Sequence, residues 1–451
     1  MNNTDNSVSI INNRVGSHKY SNGNIYLRIM AFVLIGYAFL GRGFAHIGIG
    51  MIYISEVTLF ICLVLYLTTP SARMWFFTNT LKILAIVMVW GAICTIPYIS
   101  TYGLNALRDA VIWGYGMFAI MIAGFLLSNP NRLKLVLDFY KRFAPFFIFG
   151  AIILYIFTKT LPIPAFPGSS VPIINLRISQ IMVHVTGCLL FYLLLSKRFG
   201  FLLMLMLVIE IILFGSISRA GLLAFLLSVS FVFILRPFTN RYSKIVISVM
   251  FIVAIFLVSG LEFSTNKKRV VSPTQITSNL TSIVSNAEDG TLQGTKNWRL
   301  SWWAKILNYT IFGDYFWTGK GYGINLADDD GFQVVSESKL RSPHNSHITI
   351  LARSGLPGFI LWLILMGSVE LDLYLVYRKT IRDNNLYWSN IFLFLMGFIT
   401  AHLISASFSV YLEGPMGGIW FWTVFGVAVA AVEIYKRYPD IINGWQIVET
   451  R

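Results

Sequence analysis

Arginines and histidines placed at particular points of an otherwise apolar chain are the first candidates for chemistry. Arg42 in GRGFAHIG, Arg108 in ALRDAVIW, Arg177 in NLRISQ and Arg219 in SISRAGLL each stand at or near the end of a long apolar run. A later polar stretch adds Arg299, Arg341, His344 and His347. The guanidinium fork matches phosphate oxygens two at a time. Several arginines converging on one cavity would therefore form a pyrophosphate clamp that needs no metal. Imidazole is the side chain most easily used as a base near neutral pH. His344 is followed by Asn345, lies between Arg341 and His347, and precedes an apolar run, where a rigid scaffold can hold a loop residue.

Each of these residues also has a plainer reading. An arginine at a membrane surface can snorkel to head groups, and a histidine in a loop can simply be solvated. Arg108 has Asp109 beside it, so an ion pair is expected there. Arg219 is different: it follows a very short turn, opens an apolar helix and has no local carboxylate, which points to an anionic ligand.

Other chemistries find little support. His344 and His347 have i, i+3 spacing, but no nearby Glu or Cys completes a zinc site. The run Asp328, Asp329, Asp330 reads as a solvated loop tip rather than a cation site. GKGYG lacks the context of a phosphate-binding P-loop. The first outer connection carries no carboxylate pair. No metal and no cofactor are expected. Cys62, Cys94 and Cys188 fall inside apolar runs and read as packing residues. Glu56, Glu210, Glu370 and Asp372 lie within apolar runs and keep a transporter reading open.

The elements that must position these groups follow from composition. Of 451 residues, 56% are hydrophobic and 12% charged, and mean hydropathy is +0.68. A soluble enzyme, a disordered chain and a disulfide scaffold are excluded; an all-α polytopic membrane protein is indicated. Apolar runs occur at 26–44, 48–68, 80–100, 106–128, 136–159, 178–196, 199–216, 219–236, 243–261, 347–377, 387–411 and 415–435, about twelve transmembrane helices in all. The first 25 residues are polar and carry no signal-peptide pattern.

Alternate connections carry Arg73; Arg132, Lys134, Lys141 and Arg142; Lys197 and Arg198; Arg236, Arg241 and Lys244; Arg378, Lys379 and Arg382; and Lys436 and Arg437. By the positive-inside rule these connections and both termini are cytoplasmic. That accounts for most of the +15 net charge without nucleic acid. The expected order is a cytoplasmic tail at 1–25, helices through 26–261, one large outer loop at 262–346, helices through 347–436, and a tail at 437–451. In the loop, a Ser/Thr/Asn-rich stretch at 272–286 precedes NWRLSWWAKILNYT, where Trp298, Trp302, Ile306 and Tyr309 recur at helical spacing. That spacing predicts an amphipathic helix lying on the bilayer or over a cavity.

These features together resemble the O-antigen polymerase and O-antigen ligase superfamily, including exopolysaccharide polymerases, over about residues 26–436. SISRAGLLAFLL, the single large loop, NWRLSWWAKIL, GKGYGIN and RSPHNSHITILARSGLPG carry the resemblance, with GRGFAHIGIGMIYISE early in the chain. It implies a GT-C-like membrane glycosyltransferase of the bacterial inner membrane, active at the periplasmic face. The implied donor is a glycan on undecaprenyl diphosphate, and the implied chemistry is metal-independent and inverting. Arg219 and Arg299 match the family's pyrophosphate-binding arginines, and His344 matches the histidine held to activate the acceptor hydroxyl. Arg42, Arg177, Arg341, Asn345 and His347 are the accompanying substrate-binding candidates. Implied partners are the lipid-linked oligosaccharide, membrane lipids and a chain-length regulator protein. A polymerase is favoured over a ligase that transfers glycan to lipid A core. A flippase of lipid-linked sugars is the competing class, although the chain lacks the two similar halves usual in transporters.

Overall fold

The computed structural model describes residues 21–50, 52–73, 78–167, 169–196, 200–236, 263–265, 269–271, 290–334 and 340–442. Among these, regular structure is helical apart from two antiparallel hairpins, β1 (Gly48–Ile49) with β2 (Ile52–Tyr53) and β3 (Phe263–Thr265) with β4 (Arg269–Val271). Backbone groups in hydrocarbon must be paired internally, and the long apolar runs do so as helices.

In chain order the helices are α1 (Asn22–Leu40), α2 (Arg42–Ala45), α3 (Ile54–Leu67), α4 (Pro70–Arg73), α5 (Asn79–Tyr102), α6 (Leu104–Gly114), α7 (Gly116–Ser128) and α8 (Arg132–Thr160). There follow α9 (Ile178–Leu195), α10 (Phe201–Ile217), α11 (Arg219–Leu235), α12 (Gly290–Ile311), α13 (Leu326–Asp329), α14 (Ser346–Arg382), α15 (Leu386–Ala406) and α16 (Pro415–Arg437). Among the described residues seven helices are long and apolar enough to span, α6 and α7 form a further pair bent by 41°, and α3, α10 and α11 are shorter apolar helices. The run expected at 243–261 and the stretch at 272–286 lie outside the described residues. The chain is an all-α polytopic membrane protein.

Burial separates the inner helices from the outer ones. In α16, 94% of the most apolar window is buried, in α9 83% and in α15 78%, against 22% in α5. Apolar side chains gain little by leaving lipid for one another, so close contact between small residues has to hold the bundle. Where α16 crosses α7, a Cβ built on Gly426 would lie 2.4 Å from the Ala119 carbonyl. Any larger residue there would force the two helices apart.

The connections make two sets of polar contacts. At one end Arg132 bonds Asn24, Ser128 and the Phe125 carbonyl, Thr80 donates to Asp372, and Tyr435 donates to Asp383. At the other end the turn at Gly41 pairs with Asn175, and the long polar segment docks on the α6 and α14 N-termini.

The polar segment builds a small core of its own. Trp302 and Ile306 of α12 pack with Leu326, Ala327, Leu351 and Ala352, ringed by Trp298, Tyr309 and Phe332. The apolar face expected to meet bilayer or cavity is thus spent on protein packing. The acidic run also departs from expectation. Asp330 is buried, accepting from Trp302 Nε1 at 2.7 Å and Lys320 Nζ at 2.5 Å. A buried carboxylate needs such partners, so Asp330 is a structural anchor and not a solvated tip. Gly355 (φ 67°) breaks α14, leaving room for the Phe316 carbonyl, which accepts from Leu356 N at 2.8 Å. Pro357 follows the break, in the first turn of the restarted helix, where its missing N–H costs nothing.

Candidate active site

Three helices begin at the end of the bundle that carries the polar segment. Arg177 is the N-cap of α9, Arg219 is the first residue of α11 after the Ser218 cap, and His344 directly precedes Asn345, the N-cap of α14. Each helix start is the positive end of its helix dipole. These starts are packed near one another: α9 and α11 are neighbours, and both pack on α15. The sequence puts a guanidinium or an imidazole at each.

The side chains lie within electrostatic reach of one another. Burial, and after it the charges of Arg299 and Arg177, push His344 down to about 4. Burial and then Arg219 work against the charge of Arg299. Burial and then Arg42 do the same to Arg177, with Glu413 opposing them. Arg42, Arg177, Arg219 and Arg299 therefore form one cationic group beside His344, with Glu413 acting on Arg177. Arg299 Nε is buried with no hydrogen-bond partner among the described residues. Such a donor is costly unless something accepts from it.

Local structure fixes the group. Arg299 rides on α12, whose Trp298 ring lies 6.3 Å from the His344 ring. Trp303, on the same helix, donates to the Pro343 carbonyl at 2.9 Å. His344 itself has φ 55°, a left-handed backbone uncommon for a residue with a side chain. Asn345 Oδ1 accepts from His347 N and Ile348 N, so this side chain caps α14. Arg299 Nη1 donates to the Phe408 carbonyl at 3.3 Å and Arg177 Nη1 to the Val410 carbonyl at 3.2 Å, both in the connection between α15 and α16. Arg42 is brought in by its backbone, whose N–H donates to the Asn175 carbonyl at 2.9 Å, two residues before Arg177.

Two of the expected ligand-contacting residues are engaged elsewhere. Both His347 ring nitrogens are used, Nε2 donating to the Leu403 carbonyl at 3.0 Å and Nδ1 accepting from Trp362 at 3.0 Å. Arg341 Nη2 binds Asp109 at 2.7 Å and the Gly323 carbonyl at 2.8 Å. Asp109 also takes Arg353 at 3.0 Å, and the adjacent Arg108 stands off at 3.8 Å. The pair expected between Arg108 and Asp109 is thus the weakest of the three. Small cavities bordered by Asp372 and Lys436, and by Trp90 and Trp113, touch neither Arg219, Arg299 nor His344.

Sequence reasoning misses Arg353, which reads only as a charge within an apolar run, and Glu413. The second was legible: an acid between the last two apolar runs, at the end where arginines are in surplus.

Residues 200–363 match the family model described as O-antigen ligase. The matched span takes in Arg219, Arg299, Arg341 and His344 and reaches past the Gly355 break; Arg42, Arg177 and the α15–α16 connection lie outside it. The match supports the O-antigen polymerase and ligase superfamily, whose members transfer lipid-linked glycans. Among curated proteins none matches the chain. The matched span therefore contributes two of the four arginines in the cluster, and the part of the chain before it brings the other two.

Proposed function

We propose that the protein is a glycosyltransferase that polymerises undecaprenyl-diphosphate-linked oligosaccharide repeats at the periplasmic face of the inner membrane. The observation that carries this reading is the mutual reach of Arg219, Arg299, Arg177 and His344. Arg219 and Arg299 bind the diphosphate, with Arg42 and Arg177 alongside. His344 accepts the proton of an acceptor sugar hydroxyl. The oxygen forms a bond to the anomeric carbon, whose bond to the phosphate oxygen breaks with inversion. The electron pair leaves on undecaprenyl diphosphate, and the arginines meet the charge as it grows.

The depressed basicity of His344 suits this order of events. An imidazole near 4 is neutral at neutral pH and has its lone pair free. Once a diphosphate offsets the charges of Arg299 and Arg177, part of the depression is relieved. The base strengthens only when the donor is in place. Asn345 and His347 serve by holding the start of α14, and Arg341 by anchoring the polar segment to Asp109.

The description of the matched family favours a second reading, in which the acceptor is lipid A core and the same residues do the same chemistry. Purified protein given only the lipid-linked repeat separates the two. A polymerase makes a ladder from that substrate alone; a ligase leaves it unchanged until lipid A core is added.

A further inference from the structure

Glu413 stands where the arginine group meets the start of α14. Its Oε2 accepts from the Ser346 hydroxyl at 2.5 Å, and Ser346 Oγ in turn accepts from Tyr411 N and Leu412 N at 3.1 Å each. Its Oε1 is sealed from solvent with no hydrogen-bond partner among the described residues. Burial raises the carboxyl, while the Ser346 and Thr349 hydroxyls and the charge of Arg353 oppose the rise. On its other side Glu413 favours the charge of Arg177.

The consequence is geometric. Ser346 is the first residue of α14, two places from His344. Tyr411 and Leu412 belong to the α15–α16 connection, the segment whose Phe408 and Val410 carbonyls hold Arg299 and Arg177. The bond between Glu413 and Ser346 thus ties the element that presents the imidazole to the element that aims two guanidinium groups. His344 has a backbone conformation that persists only where its surroundings over-determine it. Trp303 constrains it from the preceding side through Pro343, and Ser346 from the following side.

We infer that Glu413 is a positioning residue of the transfer site, which through Ser346 sets the spacing between His344 and the arginines Arg177 and Arg299. It touches neither donor nor acceptor. The inference rests on the proposed diphosphate site and deepens it.

The test uses full-length protein in nanodiscs and farnesyl diphosphate as the probe. Binding is measured for the wild type, Glu413→Ala, Ser346→Ala, the double variant and Glu413→Gln. The His344 resonance is followed in protein with labelled histidine. Loss of a hydrogen bond to a charged group is worth about tenfold. Glu413→Ala and Ser346→Ala should each weaken binding by about tenfold and shift the His344 resonance, and the double variant should be no worse than either alone. Glu413→Gln keeps an acceptor oxygen and should stay within about threefold of wild type. Because Ser346→Ala and Glu413→Gln are mild changes, the comparison survives if Glu413→Ala does not fold. Wild-type affinity and an unshifted His344 in Ser346→Ala, with only the melting temperature lowered, would overturn the positioning role and leave the site intact. Failure of the wild type to bind farnesyl diphosphate would overturn the diphosphate site, and this role with it.

Discussion

Arg299 is carried on α12 next to Trp298, whose ring lies 6.3 Å from the His344 imidazole, and after burial its guanidinium is the largest influence that pushes His344 down to about 4. The two residues are 45 positions apart in sequence, and α12 packed against α14 brings them together. Cation and base are therefore coupled, and what neutralises one changes the other.

The coupling has a pH signature. Free protein should show His344 titrating near 4, and farnesyl diphosphate should move the midpoint upward. The sign for stability follows from the same shift. The folded imidazole binds fewer protons than the unfolded one between about 6.5 and about 4, so stability is complete above that window and falls as pH drops through it. Histidine-selective NMR across the acid range checks both. A midpoint near 6.5 that ignores the diphosphate would remove the proposed link between donor and base.

Substituting His344 should separate chemistry from binding. His344→Ala is expected to insert normally and to bind farnesyl diphosphate about as tightly as wild type at neutral pH, since a neutral imidazole carries no positive charge away. Transfer should fall by about two to four powers of ten, the usual worth of a positioned base. Rate and affinity measured on the same preparation give the answer; equal losses in both would assign His344 to ground-state binding instead.

The arginines should act as a pair. Arg219→Ala and Arg299→Ala are each expected to lower diphosphate affinity by about tenfold or more, with the double variant losing less than the product of the two. Lysine should restore little at either place, because an ammonium cannot reproduce the two-pronged contact. Isothermal titration with farnesyl diphosphate reads this directly. Full independence of the two losses would mean that they hold different ligands.

Asp109 tests the anchor outside the chemistry. It joins α6 to Gly323 and to the guanidinium groups of Arg341 and Arg353, the latter nearly sealed from solvent. Asp109→Asn leaves buried charge uncompensated and should cost about 3–5 kcal/mol of stability. Thermal unfolding of the purified protein measures it, and a melting temperature equal to wild type would show that the backbone carbonyls of Gly321 and Ile324 suffice for Arg353.

The bundle was legible because lipid leaves an apolar run of about 20 residues one regular option. Arg42, Arg108, Arg177 and Arg219 stood out as positive charges at span ends on the side expected to be outside, and Arg299 as one in the loop, yet nothing in the spacing set Arg108 apart from the others. Other features were not legible because they depend on tertiary partners. Nothing in the spacing of Asp328, Asp329 and Asp330 says that the third meets Trp302 and Lys320 in a small core. His347 reads like His344 until Trp362 and Leu403 are seen to occupy its ring. The break at Gly355 hides inside one apolar run, because hydropathy does not register a single left-handed residue.

The most direct measurement is transfer by pure protein in nanodiscs, with undecaprenyl-diphosphate-linked repeat as the only substrate, compared between wild type and His344→Ala. Wild type should give a polymer ladder and His344→Ala none, at equal insertion. A ladder of normal length from His344→Ala would contradict His344 as the base.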